Sequence, residues 1–362
     1  MKRTNLKQKK IAIIDNCTRI GSIHNEEKMT NHAPIIVFCY NRPDHLEQTL
    51  QSLAKNDLAS QSILYVYCDG AREWGGETAP AESSGNYITK RYGAMYCSET
   101  NYQTYLDAIA QTRNIAHSIQ GFKEVHVIER KQNIGLAANI IDAITTIVNQ
   151  YGRVIAFEDD IVSTRGCLTY LNDALELYKD DEQVMHISAW MYPNKGQFPT
   201  TFFYDSPYPA GGWATWKRAW LHFNPDTEEH VRYWQNNWKE FDIMGENHLS
   251  RQLLGNLNGT LKTWYVKWYS SMRRMNGLCL YPGTAMSNNI GWDDSGETSL
   301  VNTRYNIANP AEYTEVKHIP IERNRKAFNY IRVWYSGHWY SLRRRIKLYN
   351  AIRGIFGLKP LK

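Results

Sequence analysis

The chain has 362 residues, of which 43% are hydrophobic and 22% charged, proportions that are ordinary for a soluble globular protein. No apolar run approaches the roughly 20 residues that span a bilayer, which argues against a transmembrane helix, and the six cysteines form no CxxC pair, which argues against a zinc knuckle. The net charge of +6 is unevenly spread, because the residues from Arg323 to Lys362 contain 11 Lys and Arg and no Asp or Glu.

The first half of the chain alternates predicted strands and helices behind a polar segment, residues 1–32. Continuous apolar runs predict strands covered on both faces, and apolar residues that recur every three to four positions predict helices. In chain order the strands are IIVFCY, ILYVYCDG, KEVHVIER and RVIAFEDD, and the helices are PDHLEQTLQSL, YLDAIAQTRNIAHSI and GLAANIIDAITTIVNQYG. This alternation predicts an α/β fold with a mostly parallel sheet flanked by helices.

The second half of the chain is less regular. CLTYLNDALELY predicts a helix and QVMHISAW a strand. GGWATWKRAW is interpreted as a glycine turn that leads into a tryptophan-rich helix, and GWDDSGE as a loop.

Polar residues follow each of the four predicted strands of the first half. They are Tyr40-Asn41-Arg42, Asp69-Gly70, Glu129-Arg130 and the acidic triplet Glu158-Asp159-Asp160. Ligands bind at the carboxyl ends of the strands in parallel sheets. We therefore expect the four clusters to line one rim of the sheet.

The acidic triplet lies between apolar residues, so its three carboxylates repel one another and are costly to desolvate. Side chains alternate along a strand, which puts Glu158 and Asp160 on one face and Asp159 on the other. Two oxygen donors on one face suit Mg²⁺ or Mn²⁺, which use one or two carboxylates together with substrate phosphates. A solvated strand end is the alternative interpretation of the same three residues.

The order and spacing of PIIVFCYNRPDHL, YVYCDGA, ERKQNIGLAANI and VIAFEDDI resemble the nucleotide-sugar-binding half of GT-A-fold glycosyltransferases, with EDD at the position of their DxD motif. VMHISAWMYP and GGWATWKRAW resemble the acceptor half of bacterial surface-polysaccharide glycosyltransferases of the family 2 type. Those enzymes are distantly similar to the Golgi N-acetylglucosaminyltransferase that starts complex N-glycans. The resemblance covers about residues 33–300. It implies a GT-A, Rossmann-like fold, a nucleoside-diphosphate sugar as donor, most simply a UDP-sugar, and a divalent cation, Mn²⁺ or Mg²⁺.

The resemblance also implies which residues bind the nucleotide. Asp69 would hydrogen-bond the base or ribose, and NIGLAAN would approach the nucleotide near a helix N-terminus, where backbone N–H groups favour anions. The same NIG letters are also typical of an ordinary turn. The residues implied to bind the nucleotide are Tyr40, Asn41, Arg42, Asp69, Asn133, Gly135 and Asn139.

Within the triplet, the resemblance implies that Asp160 ligates the metal ion. Glu158 and Asp159 would contact the ribose or the waters of the metal. These three roles depend on the DxD correspondence, not on spacing alone.

The general base is where this sequence departs from the Golgi relatives, whose base lies in a WDDW segment. The nearest counterpart, TWYVKWYSS, has no acid, and the next acids along the chain are Asp293 and Asp294 in GWDDSGE. A base must reach the hydroxyl proton of the acceptor, and a loop with glycines on both sides can bring a carboxylate there. We therefore assign catalysis to Asp294 and Asp293, with Asp242 and Glu246 as weaker alternatives.

The predicted organisation has four parts: the extension 1–32, a nucleotide-sugar-binding half 33–163, an acceptor-binding half 164–321 of the same domain, and a tail 322–362. The tail interleaves aromatic and aliphatic residues with Lys and Arg, a pattern typical of a helix that lies on a membrane surface. A basic helix packed against the domain has a similar composition. We expect a cytoplasmic protein attached peripherally to the inner face of the cell membrane through anionic lipid, with no nucleic-acid partner.

These features predict a metal-dependent glycosyltransferase that acts on a lipid-linked saccharide in bacterial surface-polysaccharide synthesis, with inversion at the anomeric carbon. A non-catalytic sugar-binding or membrane-binding domain is one alternative, favoured by the missing acid in TWYVKW. A nucleotidyltransferase is another, disfavoured because CYNRPDH lacks the glycine-rich phosphate loop of those enzymes.

Overall fold

A computed structural model describes residues 32–73, 99–208, 210–293, 303–336, 350 and 353 of the chain. These residues contain an eight-stranded sheet and a two-stranded sheet. The larger sheet has the order β3-β2-β1-β4-β8-β6-β9-β7, and the smaller one pairs β10 with β5. The strands are β1 Ile35–Cys39, β2 Ile63–Cys68, β3 Glu124–Glu129, β4 Arg153–Glu158, β5 Ile161–Ser163, β6 Val184–Ser188, β7 Thr201–Tyr204, β8 Trp213–Trp216, β9 Leu278–Pro282 and β10 Ser287–Asn289.

The predicted α/β fold class is confirmed by the pairing of the strands. β3, β2, β1 and β4 are parallel neighbours, β6 and β9 are also parallel, and the remaining pairs of the large sheet are antiparallel. All five residues of β1 are buried, which requires cover on both faces of the sheet.

The helices connect the strands and pack their apolar stripes on the sheet. The helices are α1 Pro43–Ala54, α2 Glu99–Ser118, α3 Leu136–Tyr151, α4 Cys167–Leu177, α5 Lys217–Trp220, α6 Thr227–Trp234, α7 Trp238–Phe241, α8 Leu249–Leu257 and α9 Tyr265–Arg274. In the first half, α1 begins at Pro43, whose fixed φ suits a first helical position. The helix α3 is followed by Gly152, which has the left-handed conformation. A further helix occupies residues 325–336.

The tryptophan-rich segment after the glycine pair differs from the prediction. Trp213–Trp216 is a strand, β8, and only Lys217–Trp220 is helical. The strand inserts antiparallel between β4 and β6, where alternating large side chains pack on both faces, and this tertiary pairing overrides the helical pattern. A side chain at Gly212 would collide with the ring of Phe157 on β4, so the glycine lets the backbone approach the sheet.

The second half of the chain adds a smaller apolar cluster beside the main core. It joins α6, the short α7, α8 and α9 through Trp234, Phe241, Leu253 and Tyr269. Among the described residues, none of the helices has both the length and the apolar composition that crossing a bilayer requires.

Candidate functional site

The carboxyl ends of four parallel strands meet at one edge of the sheet, as the sequence predicts. Cys39 at the end of β1 pairs with Cys68 of β2, which pairs with Glu129 of β3. On the other side of β1, Phe38 pairs with Glu158 of β4. The polar residues that follow these positions therefore lie along one rim.

The acidic triplet is neutralised in part by an arginine from the neighbouring strand end. The Arg42 guanidinium donates to both carboxylate oxygens of Asp159 and, at 2.9 Å, to Oδ2 of Asp160. The backbone carbonyl of Asp159 also accepts a hydrogen bond of 2.7 Å from the hydroxyl of Thr49 on α1. Asp159 and Asp160 are both buried, so they do not form a solvated strand end.

One guanidinium does not balance three carboxylates. Burial, with the charges of Asp160 and Asp159, raises the pKa of Glu158 to about 8, although Arg42 acts in the opposite direction. Burial also raises the pKa of Asp159. Burial alone would lower the pKa of Arg42, but the two aspartates more than offset that effect, so the pKa lies above its ordinary value. The raised pKa values indicate that the neighbouring acids repel one another when ionised, and a cation beside them would favour their charged forms.

The charge and chemistry of this cluster fit one divalent cation that is shared with a substrate. Within the described part of the chain, no three His, Cys, Asp or Glu side chains are grouped as a complete metal-binding set. A Mg²⁺ or Mn²⁺ ion that keeps several waters and binds substrate phosphates needs only one or two carboxylates. Asp160 and Glu158 are the candidates for those oxygens, because Arg42 contacts both carboxylate oxygens of Asp159 but only one of Asp160.

Asp69 has a different set of partners from the expected base or ribose. Its Oδ1 accepts from the backbone N–H groups of Gly70 and Ile134 at 2.8 and 3.0 Å. Its Oδ2 accepts from the Asn133 amide at 3.1 Å and from the Gly135 N–H at 3.0 Å. The four acceptor positions of the carboxylate are therefore filled, and Asp69 fixes the 133–135 loop. Contact of these residues with a nucleotide stays a prediction.

Asn139 is buried in α3 and holds a charged side chain that the sequence analysis did not assign. Its Oδ1 accepts from Nε of Arg130 at 3.1 Å, and the same guanidinium pairs with Asp142. The Arg130 guanidinium also lies 5.3 Å from the ring centroid of Tyr67. The positively charged side chain of Arg130 is therefore held in place on the rim after β3.

Tyr40 belongs to an aromatic cluster where β1 meets α2. Its hydroxyl is hydrogen-bonded to that of Tyr105, which accepts from the backbone N–H of Arg72 at 2.8 Å. The Arg72 guanidinium lies 5.9 Å from the centre of the Tyr40 ring. Asn41, the next residue, is half-buried. Their roles toward a nucleotide also stay predictions.

The loop that contains the candidate base is joined to the acidic triplet. The N–H of Ile290 donates to the carbonyl of Asp160 at 2.8 Å, and the Asn289 amide lies 3.4 Å from Oδ1 of Asp160. A side chain at Gly291 would collide with Asp160 and press on Arg42. Glycine therefore allows the loop to close directly over the carboxylates.

Asp293 extends from this loop toward the start of α1, where its Oδ2 lies 3.1 Å from Nε2 of His45. Its side chain is 47% exposed, against 14% for His45, so the carboxylate is the more exposed member of the pair. Asp294, the other catalytic candidate, lies outside the described residues.

The weaker candidates for the base lie in the segment before α8. Asp242 is buried, and its carboxylate accepts from the Ser250 backbone N–H at 2.7 Å and from the Ser250 hydroxyl at 2.5 Å. These bonds satisfy a donor in the first turn of α8, so Asp242 has a structural function. Glu246 is half-buried in the same segment.

Aromatic side chains line the region next to the acids. Trp190 and Tyr208 stack with ring centroids 4.0 Å apart, and Trp292 and Tyr305 stack at 4.4 Å. The charge of Asp160 is one of the causes that raise the pKa of Tyr208, after burial and neighbouring tyrosines. The indole N–H groups of Trp190 and Trp292 are buried with no hydrogen-bond partner.

Sequence reasoning missed His45 and Asn289 as parts of the site. His45 lies three residues after Arg42 and therefore one helical turn further along α1, which is a signal that was present in the sequence. Asn289 lies 129 residues after Asp160 in the sequence. Only the pairing of β10 with β5 brings it to Asp160, and no local pattern indicates that pairing.

No family model matches the chain, and no curated protein matches it. Among solved structures it is similar to S. aureus TarS, with 16% identity and a TM-score of 0.26 over 46% of this chain and 23% of the TarS chain. It is also similar to the mannosyltransferase PcManGT from Pyrobaculum calidifontis, whose structure is a complex with GDP-Man and Mn²⁺. That match has 10% identity and a TM-score of 0.32 over 68% of this chain and 69% of that chain. The matched region thus spans less than a quarter of TarS.

Proposed function

We propose that this protein is a metal-dependent glycosyltransferase that moves a sugar from a nucleoside-diphosphate sugar, most simply a UDP-sugar, to a saccharide acceptor. One observation carries the proposal: three neighbouring acids, of which Asp159 and Asp160 are buried, end β4 on the rim that β1, β2 and β3 share. That rim is where parallel sheets bind their ligands.

The donor lies along this rim in the proposal. Tyr40, Asn41 and Arg42 border it after β1, and the loop that contains Asn133 and Gly135 borders it after β3. Asp69 holds that loop through four hydrogen bonds. Its contribution to donor binding is therefore to position the loop.

Asp160, with Glu158 beside it, is the residue that would hold a divalent cation. When bound there, the ion supplies electrostatic stabilisation of the departing diphosphate. Arg42 adds a second positive charge next to the same position.

Asp293 accepts the proton of the acceptor hydroxyl in the proposed reaction. The hydroxyl oxygen forms a bond to the anomeric carbon, and the bond from that carbon to the diphosphate breaks on the opposite face, which inverts the configuration. His45 orients the Asp293 carboxylate from 3.1 Å. Asp294 remains the alternative base.

The proposed acceptor is a lipid-linked saccharide of bacterial surface-polysaccharide synthesis, met at the cytoplasmic face of the membrane. The half-buried stacked pair Trp292 and Tyr305 supports a saccharide, because sugar rings pack their apolar faces on accessible aromatic side chains. The basic composition of the tail supports attachment to anionic lipid.

The test is a screen of nucleotide sugars with Mn²⁺ or Mg²⁺, in which released nucleoside diphosphate is measured with and without chelator. We expect one donor to be hydrolysed in a cation-dependent reaction. Asp160→Ala should reduce release at least about a hundredfold, because it removes the carboxylate that holds the ion. The folded state is checked by circular dichroism.

Three outcomes contradict the proposal. Unchanged release by Asp160→Ala would place the metal elsewhere. Binding of nucleoside diphosphate without hydrolysis of any donor, even with saccharide acceptors added, would favour the non-catalytic alternative. Release of pyrophosphate from a nucleoside triphosphate and a sugar phosphate would identify a nucleotidyltransferase.

A further inference from the structure

The Arg42 guanidinium occupies the position where a cation on the triplet would bind. It contacts Asp159 and lies 2.9 Å from Oδ2 of Asp160, while Asn289 lies 3.4 Å from the other oxygen of Asp160. Both oxygens of the expected metal ligand therefore face protein donors.

A metal ion bound to Asp160 and the Arg42 guanidinium would repel each other, because both positive charges would contact the same carboxylate. Mg²⁺ and similar small ions approach a carboxylate oxygen to about 2.0–2.1 Å, and the Arg42 guanidinium already lies 2.9 Å from Oδ2 of Asp160. The loop above is close as well, because a side chain at Gly291 would collide with Asp160 and press on Arg42. Binding of the ion at Asp160 is therefore favoured when Arg42 moves away.

Arg42 has a suitable alternative partner once it moves. Arg42 directly precedes α1, its side chain is 18% exposed at the rim, and a guanidinium binds phosphate oxygens through two parallel hydrogen bonds. A donor diphosphate that arrives with the cation would place such oxygens beside it.

We propose that Arg42 is an exchangeable counter-ion: it neutralises Asp160 in the free protein, yields that carboxylate to the divalent cation and then binds the donor diphosphate. This inference rests on the proposed function. It makes the free site stable without metal and ties tight cation binding to the presence of the diphosphate.

This exchange predicts that Arg42→Gln raises the affinity for Mn²⁺ and lowers the affinity for the nucleoside diphosphate. Without nucleotide, the variant should bind Mn²⁺ at least about tenfold more tightly than the wild type, because a competing positive charge is gone. With saturating Mn²⁺, it should bind the nucleoside diphosphate at least about tenfold more weakly, because a charged phosphate partner is gone. A residue that only maintained the fold would weaken both.

The experiment titrates Mn²⁺ alone, and then UDP or GDP in saturating Mn²⁺, into the wild type and three variants by calorimetry. Arg42→Lys keeps the charge without the two-pronged contact and should keep Mn²⁺ affinity near the wild-type value. Arg165→Gln is the matched control, since Arg165 pairs with Asp57 after the opposite end of α1. The helix has 12 residues, so this pair is about 18 Å from Arg42.

The experiment still tests the proposal if Arg42→Gln is less stable than the wild type. If Arg42→Gln is unstable without metal, Mn²⁺ should raise its melting temperature more than it raises that of the wild type. Equal or weaker Mn²⁺ binding by Arg42→Gln would overturn the competition, and unchanged UDP and GDP affinity would overturn the transfer of Arg42 to the diphosphate. If the wild type binds neither nucleotide, the proposed function fails, while the titration of Mn²⁺ alone still decides whether Arg42 competes.

Discussion

Asp69 shows how a single buried carboxylate can organise the loop after β3. Each of its oxygens accepts two hydrogen bonds, three of the four from backbone N–H groups. Gly70 beside it is pressed against the backbone of Gln132, where any side chain would collide. The turn after β2 and the loop after β3 are therefore locked together through one residue.

We expect Asp69→Asn to destabilise the protein and weaken nucleotide binding. The new amide N–H₂ faces two donors, and each unsatisfied buried donor costs about 1–3 kcal/mol, so the free energy of unfolding should fall by at least about 2 kcal/mol. Urea unfolding measures this loss, and calorimetry with UDP or GDP measures the affinity.

Asp142→Asn is the control for that substitution, because Asp142 has half of its side chain exposed and forms a surface pair with Arg130. It should change the free energy of unfolding by about 1 kcal/mol or less. Equal urea midpoints for Asp69→Asn and the wild type would show that the four hydrogen bonds contribute nothing to stability.

For single residues, the sequence predicts which side chains belong to the candidate site better than it predicts which residues they contact. The triplet, Arg42 and Asp69 stand out because charged residues follow apolar strands. The pairing of Arg42 with Asp159 spans 117 residues and depends on β1 lying beside β4, a neighbour relation that alternating strands and helices do not specify.

At the scale of elements, the short β10–β5 pair connects the two halves of the chain at the site. β5 begins directly after the triplet, and its register with β10 sets Asn289 opposite Ile161. The loop from Asn289 to Asp293 is thereby fixed to the acids at one end and, through His45, to α1 at the other. This two-ended attachment suits the role of general base that we propose for Asp293.

We expect Asp293→Asn to lower the turnover of sugar transfer by about a hundredfold or more, as loss of a general base does. The affinity for the donor should stay near the wild-type value, since the proposed contacts with the donor are made by Asp160 and the rim residues and not by Asp293. Steady-state kinetics with a saccharide acceptor and calorimetry with the nucleoside diphosphate separate the two effects.

Asp242→Asn is a useful comparison, because Asp242 binds Ser250 in the first turn of α8. It should lower stability and leave turnover of the folded protein unchanged. Near-normal turnover of Asp293→Asn would contradict the assignment and make Asp294 the next residue to replace.

The elements of the first half were predictable because each buried strand is a continuous apolar run and each helix has its own stripe. In the second half, the strand β8 was not predictable from the sequence. The letters WATWKRAW carry tryptophans at helical spacing, and only insertion between β4 and β6 makes the first four residues a strand. Long-range pairing, which the sequence does not display, decided that element.

At the scale of the whole molecule, the first part of the predicted tail belongs to the domain. Ala327 and Ile331 are fully buried on the sheet side of helix 325–336, and the hydroxyl of Tyr335 lies 2.6 Å from that of Tyr192. Arg323 pairs at 2.9 Å with the buried carboxylate of Asp205. The alternative of a basic helix packed against the domain therefore describes this part. Most of the remaining tail lies outside the described residues, including its apolar residues Trp339, Tyr340, Ile346, Leu348 and Ile355.

Two truncations distinguish packing of the tail from membrane attachment. Removal of everything after Glu322 exposes the apolar surface under helix 325–336 and should lower the free energy of unfolding by at least about 2 kcal/mol, the scale of one buried isoleucine and one buried alanine. Removal of everything after Ser336 keeps that helix and should leave the unfolding midpoint unchanged. It also deletes 7 of the 11 basic residues, each worth about 1 kcal/mol of attraction near an anionic surface.

We therefore expect the chain that ends at Ser336 to hydrolyse donor normally and to lose co-sedimentation with vesicles that contain phosphatidylserine. The full chain should bind those vesicles at low salt, bind them less as salt rises, and ignore neutral phosphatidylcholine vesicles, because screening weakens attraction between charges more than a Debye length apart. Equal binding of the full chain to neutral and anionic vesicles would contradict the electrostatic mechanism. Retained vesicle binding after truncation at Ser336 would move the membrane contact to the domain itself.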